Sequence, residues 1–145
     1  MPIKFVHRDL SKELEKRIAA NQKRILREST ERIRAGTRQR MREDTGAQKE
    51  SVYTTGPGFN DFFERQMEAA KLYEDKPLLP GVPREMKLLD EYEPPNEHTA
   101  ATGVSAGHGA EWELGLGVSA EPSLLPAAEE ERPRFWEQVA REIFK

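Results

Sequence analysis

From residue 9 to residue 44 the chain carries no proline, and its sparse apolar residues fall at helical spacing. Leu10, Leu14, Ile18, Ile25, Ile33 and Thr37 lie near one face, with Leu26 and Met41 beside it. This predicts one long helix over 9–44, capped at Asp9 or Ser11 and weakened at Gly36. Thr45-Gly46 would end it, because glycine tolerates the left-handed conformation of a C-cap. Such a helix is too thinly apolar to stand alone, since helical stability comes mostly from packing. It requires a sheet or another subunit beneath it.

Charge makes the same helix the most basic part of the chain. Residues 1–42 hold 13 Lys/Arg against 5 Asp/Glu, and residues 43–145 hold 10 against 21, although the net charge is only −3. A basic first third and an acidic remainder attract each other, within one subunit or between neighbours, unless the basic part faces nucleic acid. Arg24, Arg27, Arg34 and Arg38 are the candidate contacts to DNA or to a neighbouring subunit.

The rest of the chain reads as short elements around one long loop. Residues 1–8 form an extended lead, with Ile3, Phe5 and His7 on one side at period two. Ser51, Val52, Tyr53, Thr54 and Thr55 are β-prone, and Gly56-Pro57-Gly58 stops them. Phe59, Phe62, Phe63, Met67, Ala70 and Tyr73 mark a second amphipathic helix with Asn60 or Asp61 near its cap. Pro77, Pro80, Pro83, Pro94 and Pro95 make the following stretch an extended arm suited to a partner contact, so 59–98 reads as an inserted helix plus arm. Residues 99–145 hold two strands, "HTAATGVSAG" and "HGAEWELGLG", then a helix over 127–144 that Pro133 delays to as late as Arg132. Phe135, Trp136, Val139, Ile143 and Phe144 form its apolar side. The order predicts a single α+β domain over 1–145, an antiparallel sheet packed against the N-terminal and C-terminal helices.

Signals for chemistry are weak. The chain has no cysteine, which excludes a disulfide framework and a thiolate metal site. His7, His98 and His108 are scattered without metal-ligand spacing, and no phosphate loop or nucleophile elbow is present. Glu111 and Glu113 share a strand face, a carboxylate pair that an acid-dependent hydrolase could use, but no third group supports them. Glu129, Glu130 and Glu131 read as favourable charge at a helix N-terminus. No cofactor and no enzyme activity is expected. No apolar run approaches the length of a membrane helix and no signal-peptide core opens the chain, so a soluble protein is expected.

Three short patterns in order resemble one family. "DTGAQKESV" is similar to the T-G-A-L-(basic)-x-S-(aliphatic) motif of the minor tail components of long-tailed bacteriophages, also called tail-completion or head–tail joining proteins. Thr45, Gly46, Ala47, Ser51 and Val52 match, and Gln48 replaces the leucine. "HGAEWELGLG" resembles the family's Tyr-Ala-x-x-(apolar)-Glu-(aromatic or apolar)-Gly-Thr strand through Trp112, Glu113, Leu114 and Gly115, with His108, Gly109 and Leu116 in the tyrosine, alanine and threonine places. "AEPSLLPA" resembles a Pro-Phe-Leu-x-Pro-Ala corner through Pro122, Leu124, Pro126 and Ala127, with Ser123 in the phenylalanine place. Glu113 is then a structural acceptor, and Pro126 suits the first turn of a helix, where a missing N–H costs nothing.

The resemblance covers the N-terminal helix and residues 44–57 and 106–144. It implies a structural virion protein of the phage neck, assembled in the host cytoplasm as a homo-oligomeric, hexameric ring around the DNA channel. One rim would meet head-completion or adaptor proteins, and the other the tail terminator or tube. The segment 59–98 looks like an insertion that reaches a neighbouring ring, and any contact with passing DNA is non-specific. The alternative is a small nucleic-acid-binding module that uses the basic helix against phosphates without sequence preference.

Overall fold

Helix α1 spans Ser11–Arg40 in the computed structural model, which describes residues 10–41, 47–75, 96–105 and 122–145. It lies inside the expected 9–44. Leu10, not Asp9 or Ser11, stands at the N-cap and makes no side-chain cap bond; Asp9 lies outside the described residues. The helix ends at Met41, whose N–H donates to the carbonyls of Thr37 and Arg38 while its side chain is buried. Thr45-Gly46 lies outside the described residues and beyond this end. Anchoring an apolar side chain in the core fixes the exit earlier than the glycine signal suggested.

Ile25, Thr37 and Met41 are buried and Ile18, Leu26 and Ile33 half-buried, whereas Leu10 and Leu14 stay exposed. Burying Thr30 and Thr37 is tolerable because each hydroxyl donates to a carbonyl one turn back, Leu26 O at 3.0 Å and Ile33 O at 2.7 Å. The expected apolar face therefore holds from Ile18 onward.

A short helix α2, Ala47–Glu50, leads into the sheet of β1 (Val52–Gly56), β2 (Phe59–Asn60) and β3 (Ala101–Val104). The order is β2-β1-β3, antiparallel throughout. Gly56-Pro57-Gly58 does more than stop β1. It reverses the chain, with Gly58 at φ +76°, and Phe59 pairs with Gly56. Phe59 thus belongs to a hairpin and not to the apolar face of the following helix, which corrects the sequence reading.

Alternation along β1 gives its two faces different neighbours. Thr54 pairs with Thr102, whose hydroxyl donates to Thr30 O of α1 at 3.1 Å, so this face lies on α1. Tyr53 pairs with Gly103, and its ring stands edge-on to Phe62 with centroids 4.8 Å apart. Phe62 opens α3 (Phe62–Asp75), which covers that opposite face. A side chain at Gly103 would meet the Tyr53 side chain, its first carbon 2.6 Å from the phenolic oxygen and 2.7 and 2.8 Å from two ring carbons. Gly103→Val should therefore cost about 1–3 kcal/mol, as overpacked sites do. Urea unfolding tests this, and an unchanged midpoint would contradict the packing.

Asn60 and Asp61 divide the work at the start of α3. The Asn60 carboxamide oxygen accepts the Phe62 N–H at 3.0 Å, and the Asp61 carboxylate accepts the Thr54 N–H at 2.8 Å. Phe62, 2% exposed, and Ala69 face inward, whereas Phe63 and Met67 point to solvent and Ala70 is half-buried. The helix is turned from the expected face because the Phe62–Tyr53 contact sets its docking. The Tyr73 side chain lies outside the described residues.

The last helix, α4, spans Leu124–Glu142 with Pro133 inside it, and so starts before the expected 127 or 132. Pro133 removes the bond to the Glu129 carbonyl, but both residues are exposed, which leaves that carbonyl open to solvent. Pro126 sits in the first turn, where N–H groups have no intrahelical partner. The expected apolar side is also corrected: α4 buries Ala127, Glu131 and Gln138, while Trp136 is 61% and Phe144 72% exposed. Phe135, Val139 and Ile143 are half-buried. The layers run α4, α1, sheet, α3, a mixed α+β architecture as expected.

Candidate functional site

The functional question concentrates on α1, because its cations were the candidate contacts. Along the side facing α4 they meet carboxylates of the same chain. Arg24 Nη1 lies 3.5 Å from both Glu28 and Glu142. Arg32 Nε donates to both Glu131 oxygens at 2.9 Å, and its Nη2 reaches Glu131 and the Gln138 carboxamide oxygen at 2.6 Å. Glu131 is only 3% exposed and also accepts the Ser29 hydroxyl at 3.0 Å. Gln138 donates to Glu28 and Arg40 to Glu130, while Arg134 reaches Glu130 at 3.0 Å.

The protonation equilibria follow this geometry. The bond to Glu131 raises the Arg32 pKa, although burial opposes it. Arg40 holds the Glu130 carboxyl below the usual range, and Gln138, with Arg24, does the same for Glu142. Gly36 lies where α1 and α4 cross, and a methyl group there would stand 3.3 Å from Ala127 Cβ. Close approach, not a weak point in the helix, is its role.

On the side facing α2 and α3, Arg34 pairs with Asp61 and Glu31. Burial works against its charge, and the two carboxylates outweigh that, so its pKa is raised. Arg38 Nε donates to Lys49 O at 3.0 Å and its Nη2 lies 4.0 Å from Glu50, which also takes Arg65 at 3.2 Å. Burial, reinforced by Arg34 and Arg65, lowers the Arg38 pKa. Arg38 Nη2 and Arg65 Nε are buried without a hydrogen-bond acceptor. Arg27 differs from its neighbours: its guanidinium lies 5.9 Å from the Phe59 ring centroid, and among the described residues it pairs with no carboxylate.

Of the four arginines singled out by sequence, three are therefore committed to carboxylates of their own chain. The reading of Glu129, Glu130 and Glu131 as helix N-terminal charge is corrected, since they lie past the first turn of α4 and two of them hold arginines of α1. Sequence missed Arg32, Arg40 and Gln138, and gave Glu131 another role. The available signal was an arginine row at spacing eight, 24, 32 and 40, together with an acidic triplet on another element.

The motif residues divide. Ser51 is buried, and its carbonyl accepts the Ser105 N–H at 3.1 Å and hydroxyl at 3.2 Å. Pro122 is exposed, and Leu124 and Pro126 begin α4 half-buried. Thr45, Gly46, Trp112, Glu113, Gly115, Glu111, the second strand "HGAEWELGLG" and the five arm prolines lie outside the described residues, as do His7 and His108. His98 is exposed, its Nδ1 2.8 Å from the Gln22 carboxamide nitrogen. Among the described residues no group of three or more His, Cys, Asp or Glu could hold a metal ion, and no helix is long and apolar enough to cross a membrane. Comparison with family models, curated proteins and solved structures returns no match.

Proposed function

We propose that the chain is a structural protein of the neck or upper tail of a long-tailed bacteriophage. It would act as one subunit of a hexameric ring around the DNA channel. The ring would join head-completion or adaptor proteins to the tail terminator or tube. The role is mechanical: it joins and seals, with no turnover and no cofactor. The three ordered sequence patterns motivate this reading.

One observation of geometry supports it best. Arg24, Arg32, Arg34 and Arg40 are spent on holding α4 and the start of α3 to α1, while Phe63, Met67, Leu125, Trp136 and Phe144 stay exposed. A chain that neutralises the second half of its basic helix internally and leaves large apolar side chains outside suits assembly against other proteins. The rival, a nucleic-acid module using Arg24, Arg27, Arg34 and Arg38, finds three of those four already paired.

The test is the solution mass of the purified protein at low and high salt, joined with imaging of particles that carry a tagged copy. A ring-sized species without DNA, or label at the head–tail junction, is the expected result. Label absent from tailed particles of full infectivity would sink the reading.

A further inference from the structure

The pairing of α1 is lopsided. From Arg32 onward each arginine of the helix meets a carboxylate of the same chain. Lys12, Lys16 and Lys23, in its first half, meet none among the described residues, and all three are exposed. Arg27, also exposed, lies over the Phe59 ring and has no carboxylate partner among the described residues. On a helix of 3.6 residues per turn, Lys12, Lys16, Lys23 and Arg27 fall within about 60° of one another. They form a straight row about 22 Å long. Ala19 and Ala20, both exposed, flank the row between Lys16 and Lys23, so no bulky side chain stands in that gap. Glu13 and Glu15 lie roughly a quarter turn to either side. The row looks away from α4, since Asn21, which donates to Ile143 O at 3.1 Å and Lys145 O at 3.0 Å, is on the opposite side of the helix.

We infer that this row, Lys12, Lys16, Lys23 and Arg27, is a contact site for the phosphate backbone of duplex DNA, bound without sequence preference. A linear row of cations without a carboxylate partner among the described residues matches a linear polyanion, and contacts of such side chains to phosphate oxygens carry no sequence information. The site differs from the one sequence suggested, and three of its four members are lysines passed over there. It deepens the neck reading by naming the face turned toward DNA, and rests on that reading only for where the DNA would be met.

The test uses the full-length purified protein and two unrelated duplexes, with binding measured from 20 to 200 mM salt. Each phosphate neutralised contributes about 0.9 to the slope of log K against log salt, so four contacts give about −3.6 and a loss of roughly a hundredfold between 50 and 200 mM. The two duplexes should bind alike. Lys12→Ala, Lys16→Ala and Lys23→Ala together should leave a slope near −0.9 with an unchanged thermal melt, and the corresponding Lys→Arg triple should restore about −3.6. Binding undetectable at 20 mM salt, a slope that ignores the alanine triple, or equal affinity for a polyglutamate chain would each overturn the site. The last would point to an acidic protein surface as the occupant. Failure here leaves the neck reading standing, because particle imaging and ring mass do not depend on DNA affinity.

Discussion

Replacing Phe62 by alanine is expected to lower the unfolding free energy by about 3–5 kcal/mol, as removal of a buried ring does. The ring is 2% exposed and stands edge-on to Tyr53 at 4.8 Å and to Phe63 at 5.4 Å. It is the joint between α3 and the sheet, so its loss leaves a void that neither neighbour can fill without moving. For a domain whose whole stability is about 5–15 kcal/mol, the thermal midpoint should fall by roughly 10 °C or more. The adjacent Phe63→Ala, at an exposed position, should stay within about 0.5 kcal/mol of the parent. Thermal and urea unfolding of the two variants decide the matter. Equal losses would mean that α3 docks by a different face.

Arg32→Ala should be the next most damaging change, at about 3 kcal/mol, because it strands a carboxylate in the interior. Glu131 would keep only the Ser29 hydroxyl. The loss sits at the low end of the usual range for broken buried pairs because the Arg32 side chain is 34% exposed and water can enter where it stood. Glu131→Gln should be milder, about 1–2 kcal/mol, since Arg32 can turn to Gln138 and to solvent. The double change Arg32→Met with Glu131→Leu should recover most of the stability, because apolar side chains of similar volume replace a buried pair at little net cost. A double-mutant cycle by urea unfolding measures the coupling. A coupling near zero would show that the two side chains do not depend on each other.

These two sites also mark what could and could not be read from the amino-acid order. The proline-free stretch announced α1, the β-prone Val52–Thr55 run announced the central strand, and together they implied the α+β layering. Phe59 was misplaced because helical spacing extends by chance through it, and only the Gly58 turn assigns it to a hairpin. α4 was misread for a different reason. Apolar periodicity assumes an apolar seam, and α4 buries Glu131 and Gln138 against α1 while leaving Trp136 and Phe144 outside. No single-element pattern announces such a seam, because its sense depends on arginines 90 or more residues away in the chain. Pro133 was treated as a helix boundary, yet an exposed carbonyl needs only water. The internal pairing of Arg24, Arg34 and Arg38 was illegible on the same ground, because Glu142, Asp61 and Glu50 come beside them only in the fold.

The polar seam has a mechanical consequence. Two helices joined by an apolar stripe can slide past each other by one turn, about 5.4 Å, with little change in buried area. Here Arg24, Arg32 and Arg40 each find their own partner, Glu142, Glu131 and Glu130. A slide of one turn would separate all three at once and leave the buried Glu131 without its guanidinium, at a cost of several kcal/mol. The seam therefore works like a toothed rack. Axial load applied to α4 passes to α1 without slip, so the pair deforms as one strut.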